Sequence, residues 1–409
     1  MVRVVSNDSD SSPATSTPQR LSGAQVWALT LAAAVVTANA YYVHPIIARV
    51  AEDFQVSASM IGIVPAFNQI ALALGIFLLL PLGDRYSNRA LSTVFVWGQF
   101  LSISLMAFSR DFTLFVTGST LLGFATIVPY LLPTYVSKRV DAQELGKVTA
   151  MLTTGIIAGI LIARAGAGVV AEYFGWRTVY YIASALMLAV AILLPLSMDR
   201  REPSSMTAKP TSYLTLIGSM LPLTARYPEV LLSGSIQALS FGIFISIWMG
   251  LGLHLTSPEM GYGVDVVGYL AILAIVNVVT TPKFGALADR IGPRKTRLIA
   301  SGFRLVGISL FLFFGHNLWL LIIPILIANI FGPIMDVTGR MTILKETPEI
   351  RTRLMTVYIV FMFLGGGVAS WAGTAVYDYW GWTGNATLAI ALSVIVSALS
   401  AWAYFRFER

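Results

Sequence analysis

GALADRIGPRK, residues 285–295, is the stretch on which the fold turns. An apolar run from Val264 to Phe284 precedes it and another, Leu298 to Phe314, follows. A turn between two membrane helices needs breakers, and Gly292 and Pro293 supply them. Arg290, Arg294, Lys295 and Arg297 mark this face as cytoplasmic, because short cytoplasmic loops are enriched in Lys and Arg. Asp289, set among these cations, suits the positive N-terminal end of a neighbouring helix, a contact worth about 0.3–1 kcal/mol and about 2 when partly buried. Such a latch breaks reversibly.

A worn copy lies 205 residues upstream, where Leu80-Pro-Leu-Gly-Asp84-Arg85-Tyr-Ser-Asn-Arg89 aligns Asp84 with Asp289, Arg85 with Arg290 and Arg89 with Arg294. A second echo sits at an offset of 206: Glu172-Tyr-Phe-Gly-Trp176 against Asp378-Tyr-Trp-Gly-Trp382. Two unrelated segments repeating at nearly one offset predict a duplicated membrane unit.

Composition agrees. Of the 409 residues 56% are hydrophobic and 11% charged, and the mean hydropathy is +0.76, outside the soluble range. With no cysteine, disulfides and thiolate metal sites are excluded. The net charge of +7 would suit nucleic acid, but most basic residues fall in short loops between apolar spans. No Gly-rich phosphate loop with Lys, no HExxH cluster and no hydrophilic domain large enough for an enzyme is found. The reading therefore expects no cofactor, no bound metal, no nucleic acid and no catalysis.

Twelve apolar spans of bilayer-crossing length are expected, near 25–47, 60–82, 90–108, 112–135, 148–171, 177–198, 228–253, 264–285, 296–314, 317–341, 353–375 and 383–405. Residues 1–22 read as a disordered cytoplasmic tail with no signal peptide, and 200–226 as a cytoplasmic linker between six-helix units at 23–199 and 227–409. With both termini inside, and residues at the ends of spans counted with the adjoining loop, 21 of the 27 Lys and Arg fall in cytoplasmic segments; Arg49, Arg110 and Arg177 fall outside, and Arg164, Arg304 and Arg340 lie within spans. That bias fixes the expected orientation.

Paired six-helix halves and the 285–295 motif resemble the major facilitator superfamily of secondary transporters. The motif fits that family's G-x-L-x-D-R-x-G-R-R/K signature except at Pro293, and the resemblance covers residues 23–405. Within the superfamily, Asn39-Ala-Tyr-Tyr-Val-His44-Pro45, Gly159-Ile-Leu-Ile-Ala-Arg164, Gly175-Trp-Arg177 and Pro348-Glu-Ile-Arg-Thr-Arg-Leu-Met-Thr-Val-Tyr358 look like the bacterial drug- and sugar-efflux branch. The resemblance implies an all-α membrane protein, two pseudo-symmetric six-helix bundles, working as a monomer in a bacterial inner membrane. It also implies proton-coupled export of a small organic solute by alternating access. Span 112–135 has no arginine, although many proton-coupled exporters of the superfamily carry one there. A uniporter or proton-symport importer on the same fold, and a receptor that has lost transport, are the alternatives.

Glu229 and Asp265 stand at the ends of their spans, which leaves Asp336 as the single acidic residue placed in the interior of one. At about 100° per residue, Asn329, Pro333, Asp336 and Arg340 fall within roughly 60° of arc. One reading makes Asp336 and Arg340 a proton-coupling pair; the other makes them an i,i+4 ion pair that merely holds the helix in register. Both stand at this stage. Asn39, Tyr42, Asn68, Gln69, Arg164, Gln237, Phe241, Phe244 and Asn329 are the expected cavity residues, with Trp248 on the same face as Gln237. Gly155, Gly159 and Gly166, opposite Arg164, are expected to pack against the second half. Arg304 is expected to snorkel to the cytoplasm, His44 to be an interfacial histidine, and Trp176, Trp380 and Trp382 to sit in the aromatic belt. Asp84, Arg85, Arg89, Gly285, Asp289, Arg290 and Arg294 form the expected latch, with Asp84 near Thr352 and Arg353 and Asp289 near Gly146 and Lys147. Three span cations against one anion favour an anionic or zwitterionic solute.

Overall fold

The computed structural model describes residues 21–199, 213–344 and 347–407. The expected tail therefore lies outside the described residues up to position 20, as do linker residues 200–212, and so does the side chain of Asp84. Among the described residues eleven helices are long and apolar enough to cross a bilayer. The first ten are α1 Gly23–Phe54, α2 Ala58–Gly83, α3 Asn88–Phe108, α4 Phe112–Ser137, α5 Gln143–Phe174, α6 Trp176–Ser197, α7 Pro228–Leu255, α8 Val264–Ile291, α9 Pro293–Phe314 and α10 Leu318–Ile343. The eleventh, Ile350–Phe407, has 58 residues; straight, it would run about 87 Å, nearly three times a hydrocarbon core. It breaks at Gly381 (φ 59°, ψ −152°), giving α11 (350–380) and α12 (382–407). Twelve spans result, in two bundles of six.

Three helix pairs turn on a single glycine. Gly175 (φ 83°), Gly292 (φ 91°) and Gly381 (φ 59°) link α5 to α6, α8 to α9 and α11 to α12. Each occupies backbone space that a Cβ disfavours. Prolines loosen two spans at mid-depth. α1 opens into turns at 39–42, just ahead of Pro45, and α4 opens at 126–127, ahead of Pro129. Thr126 Oγ1 donates to the Leu122 carbonyl at 2.7 Å, satisfying an acceptor beside the break. α8 tightens into a 3-10 turn at Leu273–Ile275. The linker contributes a helix of its own, Tyr213–Ala225, tied to α2 by Tyr213 Oη donating to the Leu78 carbonyl at 2.5 Å.

By alternation, the start of α1, the end of α12 and the Gly292 corner share one face of the molecule, called here the tail face. One apolar core fills the first bundle and a second fills the other. A third crosses the seam, joining Leu72 and Ile76 of α2 to Tyr358, Met362 and Phe363 of α11. Toward the opposite, far face the seam closes on glycines. A methyl on Gly168 of α5 would lie 2.6 Å from the Val264 carbonyl oxygen and 3.0 Å from Gly268 Cα of α8. A methyl on Gly252 of α7 would lie 2.8 Å from the His44 carbonyl oxygen of α1. Toward the tail face, α5 and α8 part, and a methyl on Gly146 or Gly285 would meet nothing within 4 Å.

Several expectations change here. Gly155 and Gly159 approach Thr30 and Ala34 of α1, inside their own bundle, and Gly166 meets nothing; it is Gly168 that touches the second half. Trp176 and Trp382 are buried, not in a belt. Trp176 packs in an aromatic cluster with Phe54, Phe115 and Tyr180, and Trp382 Nε1 donates to the Phe311 carbonyl at 2.9 Å. Trp380 is exposed. Glycine corners explain the difference: a turn of one residue pulls the following tryptophan back into the bundle.

Candidate transport cavity

A cavity of about 950 Å³ lies between the bundles. Its wall draws on α1, α2, α4 and α5 from one bundle and α7 to α11 from the other. All three mid-depth discontinuities reach it, through Tyr41, Thr126 and Ala274. A broken helix frees backbone groups, and in a membrane these are tolerated where they are buried in protein or line a wet space.

Of the residues expected at a cavity, Gln69, Arg164, Gln237, Phe241, Phe244, Asn329, Asp336 and Arg340 line it. Asn39, Tyr42 and Asn68 do not, and these are corrections. Asn39 Nδ2 donates to Gln99 Oε1 at 3.3 Å, and Gln99 Nε2 to Thr126 Oγ1 at 2.5 Å, a buried chain inside the first bundle. Asn68 Nδ2 donates to the Ser119 carbonyl at 2.8 Å, pinning α2 to α4. The opening of α1 at 39–42 changes its phase, so Tyr41 takes the wall position and Tyr42 is buried away from it.

Asp336 and Arg340 form an ion pair one helical turn apart, with Arg340 Nε 2.9 Å from both carboxylate oxygens. The side chains keep 30% and 36% exposure, so the pair faces the cavity and is not sealed. Tyr358 on α11 donates its hydroxyl to Asp336 Oδ1 at 3.1 Å. That third partner was not singled out from the sequence, since helix pairing places it; its only signal was membership of the 348–358 segment.

Arg304 does not snorkel. It is 3% exposed, lines the cavity, and donates from Nη1 to Ser240 Oγ at 2.5 Å and from Nη2 to the Ser240 carbonyl at 2.8 Å. Arg297, read as a loop cation, is fully buried seven residues earlier, with Nη1 donating to Ser233 Oγ at 2.9 Å. Both rest on α7, whose serines recur with the same spacing. His44, expected at an interface, is fully buried under the far-face seam, edge-on to Tyr41. Arg164 is 1% exposed, with its guanidinium carbon 3.5 Å from the Trp248 ring centroid and 5.4 Å from that of Phe244.

The Asp289 half of the expected latch is apart, and the Asp84 half rests on a side chain outside the described residues. Asp289 is exposed, makes no hydrogen bond or ion pair among the described residues, and does not meet Gly146 or Lys147. Arg294 instead binds Glu229 of α7 through both carboxylate oxygens, at 2.7 and 2.8 Å, and Arg89 Nε donates to the Pro195 carbonyl of α6 at 2.8 Å. Both contacts lie within one bundle. Arg85 and Arg290 are exposed. The parting of α5 and α8 on this face explains why Asp289 reaches no partner helix.

Twelve spans in two bundles around a shared central cavity make the architecture of a multi-pass membrane transporter. The chain belongs to the Major Facilitator Superfamily, whose family model matches residues 29–304 and 230–409. It is 28% identical over 390 residues to the uncharacterized transporter YgaY of Escherichia coli O157:H7, covering 94% of this chain and 96% of that protein. It is 23% identical to the multidrug resistance protein MdtG of Citrobacter koseri, covering 80% of each. Among solved structures, it superposes on a bacterial homologue of the human lysosomal transporter Spinster, in an inward-facing and unoccupied conformation, with TM-score 0.78 at 13% identity, covering 94% of this chain and 97% of that one. It also superposes on a D-xylose-proton symporter with TM-score 0.70 at 14% identity, covering 91% and 96%. At such identities the structural likeness is one of fold.

Proposed function

We propose that this protein is a proton-coupled exporter of a small organic solute, working as a monomer in a bacterial inner membrane. The tail face is read as cytoplasmic, because it carries the excess of Lys and Arg. The carrying observation is a carboxylate, Asp336, facing a cavity whose wall comes from both bundles, and held there by Arg340 and Tyr358. Proton and solute can then compete for one place, directly or through Arg340. A titratable group half-open to a cavity changes its hydration as the cavity alternates, and that is what coupling requires. Closed far-face seams and parted tail-face ends of α5 and α8 support an inward-open state. Residues 23–199 would rock against 227–409 around the cavity, with Asp84 and Asp289 closing the tail face in the other state. Similarity to a protein named for multidrug resistance fits export better than import.

Purified protein in liposomes with a trapped pH indicator, challenged with a solute library under proton gradients imposed in each direction, tests this. Export predicts solute moving against proton flow. Solute moving with the protons, or indifferent to the gradient, overturns it.

A further inference from the structure

We infer that Arg164 is the anion-docking point of the cavity, and that the solute is an organic anion with an apolar body; this rests on the transport reading above. Among the described residues, the other partly or wholly buried arginines have partners. Arg340 has Asp336, Arg294 has Glu229, Arg139 has Asp199 at 3.6 Å, and Arg297 and Arg304 have serines. Arg164 differs. Among the described residues it makes no hydrogen bond and no ion pair, and its buried Nε and Nη2 are without acceptors. The titratable groups near enough to share its field are Tyr41 and His44, neither of them acidic.

Its one strong contact is the face of Trp248. A desolvated cation–π contact recovers only part of what it costs to take a guanidinium out of water. A stack alone leaves the charge under-compensated, and two vacant N–H edges suit a planar or tetrahedral oxyanion. The wall around it suits the rest of the solute. Arg304 rests on Ser240 and Arg164 on Trp248, positions about 12 Å apart along α7, and Phe241 and Phe244 face the cavity between them. The cavity thus offers a cation at one end, an aromatic shelf, and a second cation at the other. Lipophilic cations are disfavoured, since neither Arg164 nor Arg304 has a carboxylate to neutralise it.

The test is thermal unfolding of the purified full-length protein with a matched panel: aryl and alkyl carboxylates, sulfonates and phosphates, each beside its amide and its amine. Anions should stabilise the protein with affinities at least tenfold above their amides, with amines weakest. Arg164→Gln should lose that response at least tenfold without lowering the ligand-free melting temperature, Arg164→Lys should keep part of it, and Arg110→Gln, exposed on the far face, should keep all of it. Stabilisation by amines or amides equal to that by anions, no response to any anion, or full retention in Arg164→Gln overturns the assignment. The panel on the unmodified protein decides the question even if a variant does not fold. Cation-selective binding would remove the anion assignment and leave the transport reading standing; anion binding with no solute-driven proton flux would do the reverse.

Discussion

Glu172, at the end of α5, accepts the backbone N–H of Val264, the first residue of α8, at 3.0 Å across the two bundles. Its repeat partner does the same on the opposite seam: Asp378, near the end of α11, accepts the N–H of Ser59 at the start of α2 at 3.3 Å. The echo seen in the sequence is therefore a pair of carboxylates, each set against the amino end of a helix in the other bundle. Each contact contributes about 0.3–1 kcal/mol, and about 2 where partly buried.

These two contacts lie across the closed far face and would act as its gate. Glu172→Ala together with Asp378→Ala should shift the population toward opening on that face, by between about twofold and thirtyfold per site. A single cysteine at Gln69, in this naturally cysteine-free chain, should then react faster with an impermeant thiol reagent added from outside. An unchanged rate would remove the gate.

Asp336→Asn should fold and reach the membrane, because asparagine still accepts from Tyr358 and because both members of the ion pair keep access to the cavity. The stability cost should be about 1–2 kcal/mol, below the 3–5 of a sealed pair. Proton-driven accumulation should vanish while downhill exchange persists. Accumulation at the unmodified rate would exclude Asp336 from coupling, and failure to fold would return it to a structural role.

An arginine paired with a carboxylate and one held only by a neutral hydroxyl should respond in opposite directions. Arg340→Met strands Asp336 and should lower the melting temperature. Arg297→Met removes a fully buried charge whose Nε and Nη2 lack acceptors, while Ser233 keeps Thr342 at 3.3 Å. It should be neutral or stabilising, by up to about 4 kcal/mol. Calorimetry of both variants checks the contrast.

Glycine substitutions separate packing within a bundle from packing between bundles. Gly155→Val would push against the Thr30 carbonyl, 2.7 Å from an added methyl, and should impair folding. Gly268→Val meets the α5 backbone, with a methyl 2.9 Å from the Ala165 carbonyl, and should leave folding intact while preventing far-face closure. Expression level and cysteine accessibility together distinguish the two.

The sequence carried the spans, the duplication and the corner at Gly292, because bilayer thickness and backbone stereochemistry act on short local segments. Helix faces were less readable. Tyr42 was expected at the cavity and Tyr41 stands there, because the opening at 39–42 interrupts the 100° rule that the expectation relied on. Asn68 turned to α4 for the same kind of reason: which neighbour supplies an acceptor is a tertiary fact. Arg304 was read as a snorkelling cation since nothing local announces Ser240, sixty-four residues away. Tyr358 lay inside a quoted motif, but its bond to Asp336 depends on how α10 meets α11.

The single-glycine corners at Gly175, Gly292 and Gly381 also decide what the moving parts are. A corner of one residue has no slack, so α5 cannot swing without carrying α6, nor α8 without α9. On the transport reading, the molecule is a linkage of stiff struts joined at fixed elbows, and helices closing around a solute would pull lipid-facing ones with them. Every opening of the cavity is then also a displacement of the surrounding bilayer, and the thickness and stiffness of that bilayer become part of the load against which the protein works.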